Sequence, residues 1–538
     1  MIEAFAAAEV RAAEEPLLAC ERGFTGGLMH RAATALALAV VREQRARAVR
    51  VQGSTVVALV GPGNNGGDAL HALAILARRG VRAVAVLTSA AVHDDGLAAL
   101  RAAGGRVLAV VPDAPGRQVW LGEALAEAFT ADVVLDAVLG IGGRGGLRGT
   151  AAELVGLLAG LLTDLGDPGD SPRVLAVDVP SGIGVDDGTV AGPVLPAHRT
   201  VTFGCAKPGL VLPPAAAYAG AVEVVDLGLR PVLAQQRARP AARRLEAPDV
   251  AALWPVPGAR AHKYTRGVVG VVAGSRAYPG AAVLGVAGAL GAGCGMVRYQ
   301  GPPEVAAAVL AAHPEVVVGS GRVQAWVLGP GVGEDDEQGA HVRAALAHAT
   351  EARVPVVADA GALGLLPEHV GPLVVLTPHA GELARLLTAR GARVERDDVE
   401  REPLRWALEA QRRTGATVLL KGAVTVVAGP GAARADGRRE DVAPVVMSQA
   451  DAPAWLATAG AGDVLAGVLG ALLAGHADAL AADPSRVVAL AAAAAYVHGR
   501  AAHRANPGGP VSASAVAAAV PGVVAELLGP ARSESPWS

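Results

Sequence analysis

The sequence is poor in several residue types, and each shortage excludes a class of protein. The three cysteines in 538 residues, Cys20, Cys205 and Cys294, lie far apart and in no metal-ligand spacing. This excludes a disulfide framework, makes a structural zinc site unexpected, and is typical of a reducing compartment. Aromatic residues make up 3% of the chain and the formal net charge is −3, so the chain lacks the basic, aromatic-rich surface that nucleic-acid binding uses.

Long hydrophobic runs are also missing. Apolar stretches are interrupted by Gly, Arg or Asp well before the length of about 20 residues that spans a membrane. The first residues lead into acidic positions and have neither the basic start nor the apolar run of a secretory signal. We therefore expect a cytoplasmic protein with no nucleic-acid partner and no membrane partner.

Lysine and asparagine are scarce as well, and their positions indicate where function lies. Lysine occurs only at Lys207, Lys263 and Lys421, and asparagine only at Asn64, Asn65 and Asn506. Nearly all other basic residues are arginine, which is a planar fork, whereas lysine is a compact point charge. The two are not interchangeable at a phosphate or in a tight turn. We therefore expect each lysine of this chain to occupy a position that an arginine could not take.

Hydrophobic residues, by contrast, make up 52% of the chain and charged residues 18%, which predicts a globular protein with a large core. A chain of 538 residues is too long for one ordinary domain. Residues 5–48 have helical periodicity, typical of a core or dimer-packing helix, and strand–turn–helix units follow. We predict a first domain over residues 1–228, a linker over 229–250, a second domain over 251–530 and a tail over 531–538. The linker assignment rests on its Arg and Pro content and on the absence of a sustained apolar period.

The first turn after a strand has the composition of a binding loop. The buried-strand pattern of Thr55–Val60 is followed by a turn through Asp68, with a helix predicted over Ala69–Arg79. This is the first βα turn of a Rossmann-like sheet, where ligands bind beyond the strand ends. Its spacing differs from the dinucleotide fingerprint. Asparagine side chains and glycine N–H groups there could hold a phosphate or a ribose, and the alternative is a plain turn.

Two acids, Asp136 and Asp178, follow apolar strand patterns at their carboxyl ends, the edge where parallel sheets keep their chemistry. One interpretation makes them helix caps. The other combines them with Asn65 and Ser181, because these side chains offer hard oxygen ligands to a cation.

Four segments in this half resemble, in order, the NAD(P)H-hydrate epimerase family: Asn64–Asp68, Asp136–Gly140, Asp178–Gly182 and Thr202–Lys207. The resemblance implies a Rossmann-like three-layer domain that interconverts the two C6 epimers of hydrated NADH or NADPH. One departure is Ala69, where the family usually has glycine, and we expect its extra methyl group to be tolerated.

The same resemblance implies roles for individual residues. Asp178 matches the acid–base residue and also contacts the substrate, and potassium is held by Asn65, Asp136 and Ser181. The remaining substrate contacts are implied at Asn64, Asn65, Gly66, Gly67, Asp68, Gly140, Ile141, Gly142, Gly143, Arg144, Gly145 and Gly146, the last seven as a covering loop.

The second half repeats strand–turn–helix units and ends in a distinctive turn. Gly460–Gly462 precedes Asp463 and an apolar helical run, so its N–H groups form a candidate phosphate cradle. Asp463 could accept a proton from a substrate hydroxyl there, and the alternative is a helix cap. Lys421 falls in the middle of a β-like run, where it needs an anionic partner, and a nucleotide phosphate or ribose is the simplest choice. His379, in a turn beside Pro378, is interpreted as a ligand contact rather than a buried structural histidine.

These units resemble the ribokinase-like fold and, within it, the ADP-dependent (S)-NAD(P)H-hydrate dehydratase family. The segments that carry the resemblance are His262–Lys263, Gly274–Ser275, Gly280–Ala282, Gly329–Gly331, Thr377–Glu382, Lys421–Thr425 and Gly460–Asp463. The implied hydrate contacts are Ala281, Gly331, His379 and Asp463, with Asp463 as the catalytic base. The implied ADP or AMP contacts are Lys421, Gly422, Ala423, Val424, Thr425 and Gly462. The sequence departs from the family pattern at Gly361, usually Asp, at Ala380, usually Pro, and at Ala461, usually Thr.

The expected protein is a fused repair enzyme of two α/β domains, Rossmann-like and then ribokinase-like. It would epimerise NADHX and NADPHX with potassium in the first domain. It would dehydrate the S form in the second, with ADP as co-substrate accompanied by Mg²⁺ and with AMP and phosphate as products. We also expect a homo-oligomer, with a homotetramer as one arrangement. The alternatives are a ribokinase-like kinase of a small alcohol and a first domain that only senses nucleotides.

Overall fold

The computed structural model describes residues 1–143, 145–164, 171–333, 336–431 and 443–533. The predicted loop residue Arg144 and most of the predicted tail, residues 534–538, lie outside this range. The chain divides into two compact units, one of Glu3–Ala241 and one of Met1–Ile2 together with Ala242–Ser538.

The first unit is built on an eight-stranded sheet in which all neighbours pair in parallel. The first strand of the chain, β1 (Ile2–Ala4), belongs to the other sheet. The eight strands are β2 (Thr55–Val60), β3 (Arg82–Leu87), β4 (Arg106–Ala109), β5 (Arg117–Gln118), β6 (Val133–Ala137), β7 (Arg173–Val177), β8 (Arg199–Phe203) and β9 (Ala221–Val225). Their order is β5-β4-β3-β2-β6-β7-β8-β9, so the strand order reverses between β2 and β6. In open parallel sheets this switch point is where ligands bind.

Helices cover this sheet and account for its sequence pattern. They are α1 (Ala7–Ala19), α2 (Leu28–Ala46), α3 (Asn64–Ala77), α4 (Asp94–Ala102), α5 (Leu121–Phe129), α6 (Gly149–Asp164) and α7 (Leu229–Gln235). Alternate residues of β2 belong to two different hydrophobic clusters, Val56 and Ala58 to one and Val57 and Leu59 to the other. A strand that is buried on both faces reads as a continuous apolar run, as this one does.

The second unit has an eleven-stranded sheet of order β1-β10-β19-β18-β17-β16-β15-β14-β11-β12-β13. Its remaining strands are β10 (Ala242–Arg244), β11 (Val268–Val272), β12 (Met296–Gln300), β13 (Val317–Val318), β14 (Ala325–Leu328), β15 (Val356–Ala358), β16 (Val374–Leu376), β17 (Thr417–Leu420), β18 (Thr425–Gly429) and β19 (Val445–Gln449). From β13 to β17 the neighbours pair in parallel, whereas β18 pairs antiparallel with both β17 and β19. The carboxyl ends of β11 to β17 therefore lie along one edge.

The helices of the second unit are α8 (Ala247–Leu253), α9 (Pro279–Gly291), α10 (Pro303–Ala312), α11 (Asp336–Ala352), α12 (Ala380–Ala389), α13 (Arg396–Arg401), α14 (Pro403–Thr414), α15 (Ala461–Gly475), α16 (Ala477–Ala482), α17 (Val487–Ala505) and α18 (Ala513–Ser533). Small residues let α9 and α15 approach closely. A Cβ on Gly467 would lie 2.0 Å from the Gly285 carbonyl oxygen, and one on Gly288 would lie 2.3 Å from that of Val464. None of the helices in the described ranges is long and apolar enough to cross a membrane.

The α/β class predicted for both halves is confirmed, and several boundaries differ. The helical stretch predicted over residues 5–48 is two helices, α1 and α2. The helix predicted over residues 117–130 starts only at Leu121. The segment 229–250, predicted as a linker, contains α7, β10 and the start of α8, and the two units separate within it, between Ala241 and Ala242.

Candidate active sites

The predicted binding turn of the first unit is the start of a helix. A turn through Asp68 was predicted, with the helix starting at Ala69. In the structure α3 already begins at Asn64, so Asn64–Asp68 are helical. Glycine is required where the backbones touch, because a Cβ on Gly66 would lie 2.4 Å from the Gly61 carbonyl oxygen and one on Gly61 would lie 1.9 Å from that of Val138. The free N–H groups of this first turn stand at the switch point of the sheet and suit an anionic or polar ligand.

Three buried side chains beside this turn present oxygen atoms. Asn65, Asp136 and Ser181 are 9%, 0% and 0% exposed. Asp136 Oδ2 accepts a hydrogen bond from Ser181 N at 2.8 Å. Asp136 Oδ1 and both polar atoms of the Asn65 side chain are buried and have no hydrogen-bond partner in the described part of the chain. Buried polar atoms are normally paired, so these oxygens fit a hard cation such as potassium.

Asp178 stands at the carboxyl end of β7 with one of its oxygens saturated. Its Oδ1 accepts hydrogen bonds from Lys207 Nζ at 2.5 Å, Thr202 Oγ1 at 3.1 Å and Phe203 N at 3.2 Å. No donor in the described ranges bonds to Oδ2. Its φ of 67° is in the left-handed region, which costs a non-glycine residue about 1–3 kcal/mol and is found at functional sites. Three donors, one of them the Lys207 ammonium, thus hold one carboxylate oxygen of Asp178 and leave the other available to a ligand.

Two further acids surround Asp178. Burial, with the negative charges of Asp178 and Glu14, raises the pKa of Asp68 well above its usual value. Burial is also the first cause that raises the pKa of Glu14 on α1. The same helix reaches the covering loop, because Arg11 Nη1 donates a hydrogen bond to the Ile141 carbonyl oxygen at 3.1 Å. Helix α1 therefore belongs to this site.

The loop predicted to cover the substrate lies against Asn65, one of the three residues that could hold a cation. A Cβ on Gly140 would lie 3.2 Å from Asn65 Oδ1, and one on Gly143 would lie 3.2 Å from the Leu139 Cβ. Ile141 is half-buried, whereas a Cβ on Gly142 would meet no atom within 4 Å and one on Gly145 would meet only Arg148 Nη2, at 4.0 Å. A Cβ on Gly146 would lie 3.1 Å from the Ala191 carbonyl carbon, which anchors the end of the loop.

In the second unit, three neighbouring strands place three polar residues side by side. Asp359 follows β15, Thr377 follows β16 and Lys421 follows β17. Asp359 Oδ1 accepts hydrogen bonds from Thr377 Oγ1 at 2.8 Å and from Lys421 Nζ at 2.9 Å. Lys421 was predicted in the middle of a strand, but it comes directly after the end of β17. The chain itself supplies one anionic partner of Lys421, Asp359, and the predicted contact with a nucleotide stays a prediction.

Asp463 stands close to this cluster on the first turn of α15. The N-cap of the helix is Gly460, with a φ of 87° and no side-chain cap, so Asp463 is not the helix cap. A Cβ on Gly462 would lie 3.2 Å from Lys421 Nζ and 3.8 Å from Asp359 Oδ2. Burial and the charge of Asp359 raise the pKa of Asp463 to about 7, against a lowering effect of Lys421. A carboxylate with a pKa near neutrality is suited to general-base catalysis.

His379 caps helix α12. Its Nδ1 accepts hydrogen bonds from Gly381 N at 3.1 Å and Glu382 N at 3.3 Å, and Glu382 Oε2 accepts one from His379 N at 2.8 Å. The side chain is 54% exposed, so it is not a buried structural histidine. Desolvation lowers its pKa. The ring is therefore held at the edge of the site by its capping bonds.

The remaining predicted contacts line the same edge. A Cβ on Gly331 would lie 2.5 Å from the Ala281 Cβ, so these two residues adjoin. Gly422 and Ala423 are exposed, and Val424 and Thr425 half-buried, in the hairpin that joins β17 to β18. The glycine at 361 has a steric reason, because a Cβ there would lie 2.0 Å from the Val332 carbonyl oxygen. The aspartate that is usual in the family would require this turn to move.

Sequence reasoning gave no functional role to several of these residues. Lys207 and Thr202 were part of a matched segment, and Asp359 was given no role. Glu14, Thr377 and Glu382 were not singled out by themselves. The scarcity of lysine was the one available signal, and it identifies Lys207 and Lys421. Among the described residues, no group of three or more His, Cys, Asp and Glu side chains is arranged to hold a metal ion.

A cavity of about 660 Å³ lies away from these residues, at the amino ends of β15 and β16. It is lined mainly by apolar side chains such as Leu346, Leu366 and Leu373, with two arginines and no acid. It lacks a proton-transfer group and is not a candidate active site.

Each unit thus presents an aspartate beside a buried or half-buried lysine at the carboxyl ends of neighbouring parallel strands. This arrangement is typical of a two-domain α/β enzyme and gives each domain one candidate acid–base centre. The NAD(P)H-hydrate dehydratase family matches residues 269–517, and the YjeF-related protein N-terminus matches residues 25–209. The chain belongs to the bifunctional NAD(P)H-hydrate repair enzyme family.

Individual relatives cover one or both domains. The bifunctional NAD(P)H-hydrate repair enzyme of Mycobacterium tuberculosis is 44% identical over 477 residues, which cover 86% of this chain and 88% of that protein. The NAD(P)H-hydrate epimerase of Microbacterium testaceum is 44% identical over 242 residues, 45% of this chain and 83% of that protein. The crystal structure of the ADP/ATP-dependent NAD(P)H-hydrate dehydratase of Bacillus subtilis, co-crystallised with ATP and Mg²⁺, is 26% identical and covers 53% of this chain and 98% of that chain, with a TM-score of 0.44.

Proposed function

We propose that this chain repairs hydrated nicotinamide nucleotides in two steps, in the cytoplasm. The first domain interconverts the R and S forms of NADHX and NADPHX. The second dehydrates the S form to NADH or NADPH, with conversion of ADP to AMP and phosphate. Two observations support the proposal. In the described part of the chain, Asp178 has no donor on Oδ2, and Asp463 stands beside Lys421 and Asp359 with a pKa raised to about 7. The family resemblance implies the acid–base role for both aspartates.

In the first domain, Asp178 Oδ2 takes the proton of the C6 hydroxyl as the C6–N1 bond breaks to give an aldehyde at C6, and it delivers this proton to N1. N1 then attacks the other face of the aldehyde, which re-forms the C6–N1 bond with inverted configuration, and Asp178 carries the proton from N1 back to the C6 oxygen. Lys207 holds this carboxylate in place through a hydrogen bond from its Nζ to Oδ1. The N–H groups at the start of α3 and the loop from Gly140 to Gly146 bind the substrate. Asn65, Asp136 and Ser181 would hold the potassium ion, which supplies positive charge next to the bound nucleotide.

In the second domain, Asp463 removes the proton from the C6 hydroxyl as the hydroxyl oxygen attacks the terminal phosphorus of ADP. AMP leaves, and the phosphoryl group is carried on C6. The C6–O bond then breaks with release of phosphate, and loss of a proton from C5 restores the double bond of the ring. The N–H groups of Gly460–Gly462 stabilise the transferring group, which is worth several kcal/mol at a preorganised site. The hairpin Lys421–Thr425 lies beside the nucleotide, which Mg²⁺ accompanies.

The proposal is tested with the full chain and separated R and S hydrates of NADH. Recovery of the near-ultraviolet absorbance of NADH from the S form should require ADP or ATP. Recovery from the R form should be lost in Asp178→Asn and recovery from both forms in Asp463→Asn. No recovery with either nucleotide would favour a ribokinase-like kinase of a small alcohol, and unchanged R-form recovery in Asp178→Asn would favour a first domain that only senses nucleotides.

The proposal also covers the co-substrate, the ion and the oligomeric state. Release of AMP and phosphate in equal amounts identifies ADP as co-substrate, whereas release of ADP identifies ATP. Loss of epimerisation after exchange of potassium for a larger organic cation tests the ion. We also propose that the chain assembles as a homo-oligomer, and sedimentation of the purified protein tests this.

A further inference from the structure

Phe24 lies in the loop between α1 and α2, and it is the exposed one of the chain's four phenylalanines, at 44% exposure. We propose that its ring stacks on the adenine base of the hydrated nucleotide while the hydrated nicotinamide ring lies at Asp178. Phe24 is then a binding and specificity-determining residue of the first domain. This inference rests on the proposed epimerisation at Asp178.

The Phe24 ring belongs to a cluster of rings and is supported on one face. Its centroid lies 4.1 Å from that of His71, with 30° between the ring planes, and 5.2 Å from that of His30, with 72° between the planes. His71 is 6% exposed, so it forms a fixed support under Phe24. Aromatic rings prefer such offset or edge-to-face arrangements. Because Phe24 stays 44% exposed in spite of these contacts, a further planar group can reach its ring.

His71 gives a second, independent indication of a ligand. Its Nε2 is buried and has no hydrogen-bond partner in the described part of the chain. Burial, followed by the charge of His93, lowers the pKa of His71 to about 4, so the ring is neutral at physiological pH. Buried polar atoms are normally paired, so this nitrogen fits a polar atom that the protein itself does not supply.

The ring cluster adjoins the helix start that is implied to bind the substrate. His71 stands four residues after Gly67 on α3, so the two lie on one face of the helix, about 6 Å apart along its axis. A Cβ on Gly67 would lie 2.8 Å from His93 Cδ2 and 3.1 Å from Met29 Cε. The His93 ring is in turn 5.7 Å from the His71 ring, centroid to centroid. The support of Phe24 is therefore about 10 Å along the axis from the first residue of α3.

The chemistry of the substrate selects adenine as the stacked group. A hydrated dinucleotide carries two bases, and the one with the C6 hydroxyl has to lie at Asp178 for proton transfer. The pyrophosphate between its two halves suits the free N–H groups at the start of α3. Adenine is the planar group that remains, and base–aromatic stacking accepts it without a specific hydrogen bond.

The loop that carries Phe24 is closed by other groups than the Phe24 ring. Leu28 N donates a hydrogen bond to Glu21 Oε1 at 2.6 Å, and Gly26 N donates one to His30 Nδ1 at 3.2 Å. We therefore expect Phe24→Ala to keep the loop in place and to remove only the ring.

The test measures epimerisation of the R hydrate of NADH by the full chain without ADP, with the two epimers separated by chromatography. Phe24→Ala should raise KM about 5- to 140-fold, which is the 1–3 kcal/mol of one base–aromatic stack at about 1.4 kcal/mol per tenfold. The kcat should stay near the wild-type value, because the lost contact is the same in the ground state and the transition state. Phe24→Tyr keeps the ring and should keep the wild-type KM.

A truncated substrate separates stacking on adenine from a general effect on the site. The hydrate of reduced nicotinamide mononucleotide lacks adenine, so its KM should be the same in Phe24→Ala and in the wild type. If it turns over too slowly, competitive inhibition gives the same comparison. The inhibition constant of NAD⁺ should then rise in Phe24→Ala, and that of nicotinamide mononucleotide should not.

The matched control is Trp120→Ala, which removes a ring that is 74% exposed before α5 of the same unit and should leave both KM values in place. The inference is overturned if Phe24→Ala leaves the KM of the NADH hydrate unchanged, or raises the KM of both hydrates by the same factor. A wild type that does not epimerise the R hydrate would instead sink the proposed function, so the two failures are distinguishable.

Discussion

Lys207 is an ammonium group enclosed by acceptors. It is 1% exposed, and its Nζ donates to Asp178 Oδ1, Thr202 Oγ1 and the Phe203 carbonyl oxygen, at 2.5, 2.9 and 2.9 Å. Three acceptors match the three protons of an ammonium group. A guanidinium is larger and planar and would not fit this arrangement. The residue is a positioning residue, because it touches Asp178 and not the reacting atoms.

Lys207→Met should therefore remove epimerisation almost completely, by at least about 100-fold, the lower range for loss of general acid–base catalysis. It should also lower the free energy of unfolding by about 3–5 kcal/mol, because Asp178 would stay buried without its cation. The first effect is measured on the R hydrate and the second by denaturant unfolding.

The control for this prediction is the double variant Lys207→Met with Asp178→Asn. It removes both charges, so it should regain most of the lost stability but none of the activity. Epimerisation at the wild-type rate in Lys207→Met would contradict the role assigned to the pair.

The scarcity of lysine predicted that these residues are important, but it did not predict which groups they contact. Lys421 was expected to meet a nucleotide, but its hydrogen bond to Asp359, which lies 62 positions earlier in the chain, was not predicted. The two become neighbours only because β15, β16 and β17 adjoin in the sheet. A single sequence indicates which strands end in polar residues, and strand order decides which of these meet.

The start of α3 illustrates the same limit for an element. The strand before it and the helix after it are recognisable by their periodicity, yet Asn64–Gly67 consists of residues with low helix propensity. The helix nevertheless begins at Asn64, because Gly61 and Gly66 pack backbone against backbone. Tertiary packing overrides propensity here and turns a predicted loop into a helix N-terminus.

Gly66→Ala should consequently impair the first domain, since its Cβ would lie 2.4 Å from the Gly61 carbonyl oxygen. We expect epimerisation to fall at least about 10-fold and the free energy of unfolding to fall by about 1–3 kcal/mol, as for overpacking. Dehydration of the S hydrate should stay at the wild-type rate.

The matched control is Gly160→Ala on α6, where no atom lies within 4 Å of the added methyl group. Alanine in a helix is favoured over glycine by about 1 kcal/mol, so this variant should be as stable as the wild type or more so. Equal behaviour of the two variants would show that the close packing at Gly66 does not matter.

At the scale of the whole molecule, each compact unit contains a complete set of candidate residues on its own sheet. The sequence predicted the two α/β domains and their families, because each family's segments follow one another within one half of the chain. It did not predict that the units divide between Ala241 and Ala242, or that Met1–Ile2 groups with the second unit. Such long-range pairing leaves no periodic signal in the sequence.

Two chains that each lack one centre should together repair both epimers. Asp178→Asn keeps the dehydration centre and Asp463→Asn keeps the epimerisation centre, and we expect the hydrate to diffuse freely from one to the other. With the R hydrate and ADP, either variant alone should recover little NADH. An equimolar mixture should recover it fully, at a rate that rises with the concentration of Asp463→Asn until dehydration limits. A mixture no better than Asp178→Asn alone, with each variant active in its own half-reaction, would mean that the epimer must pass within one assembly.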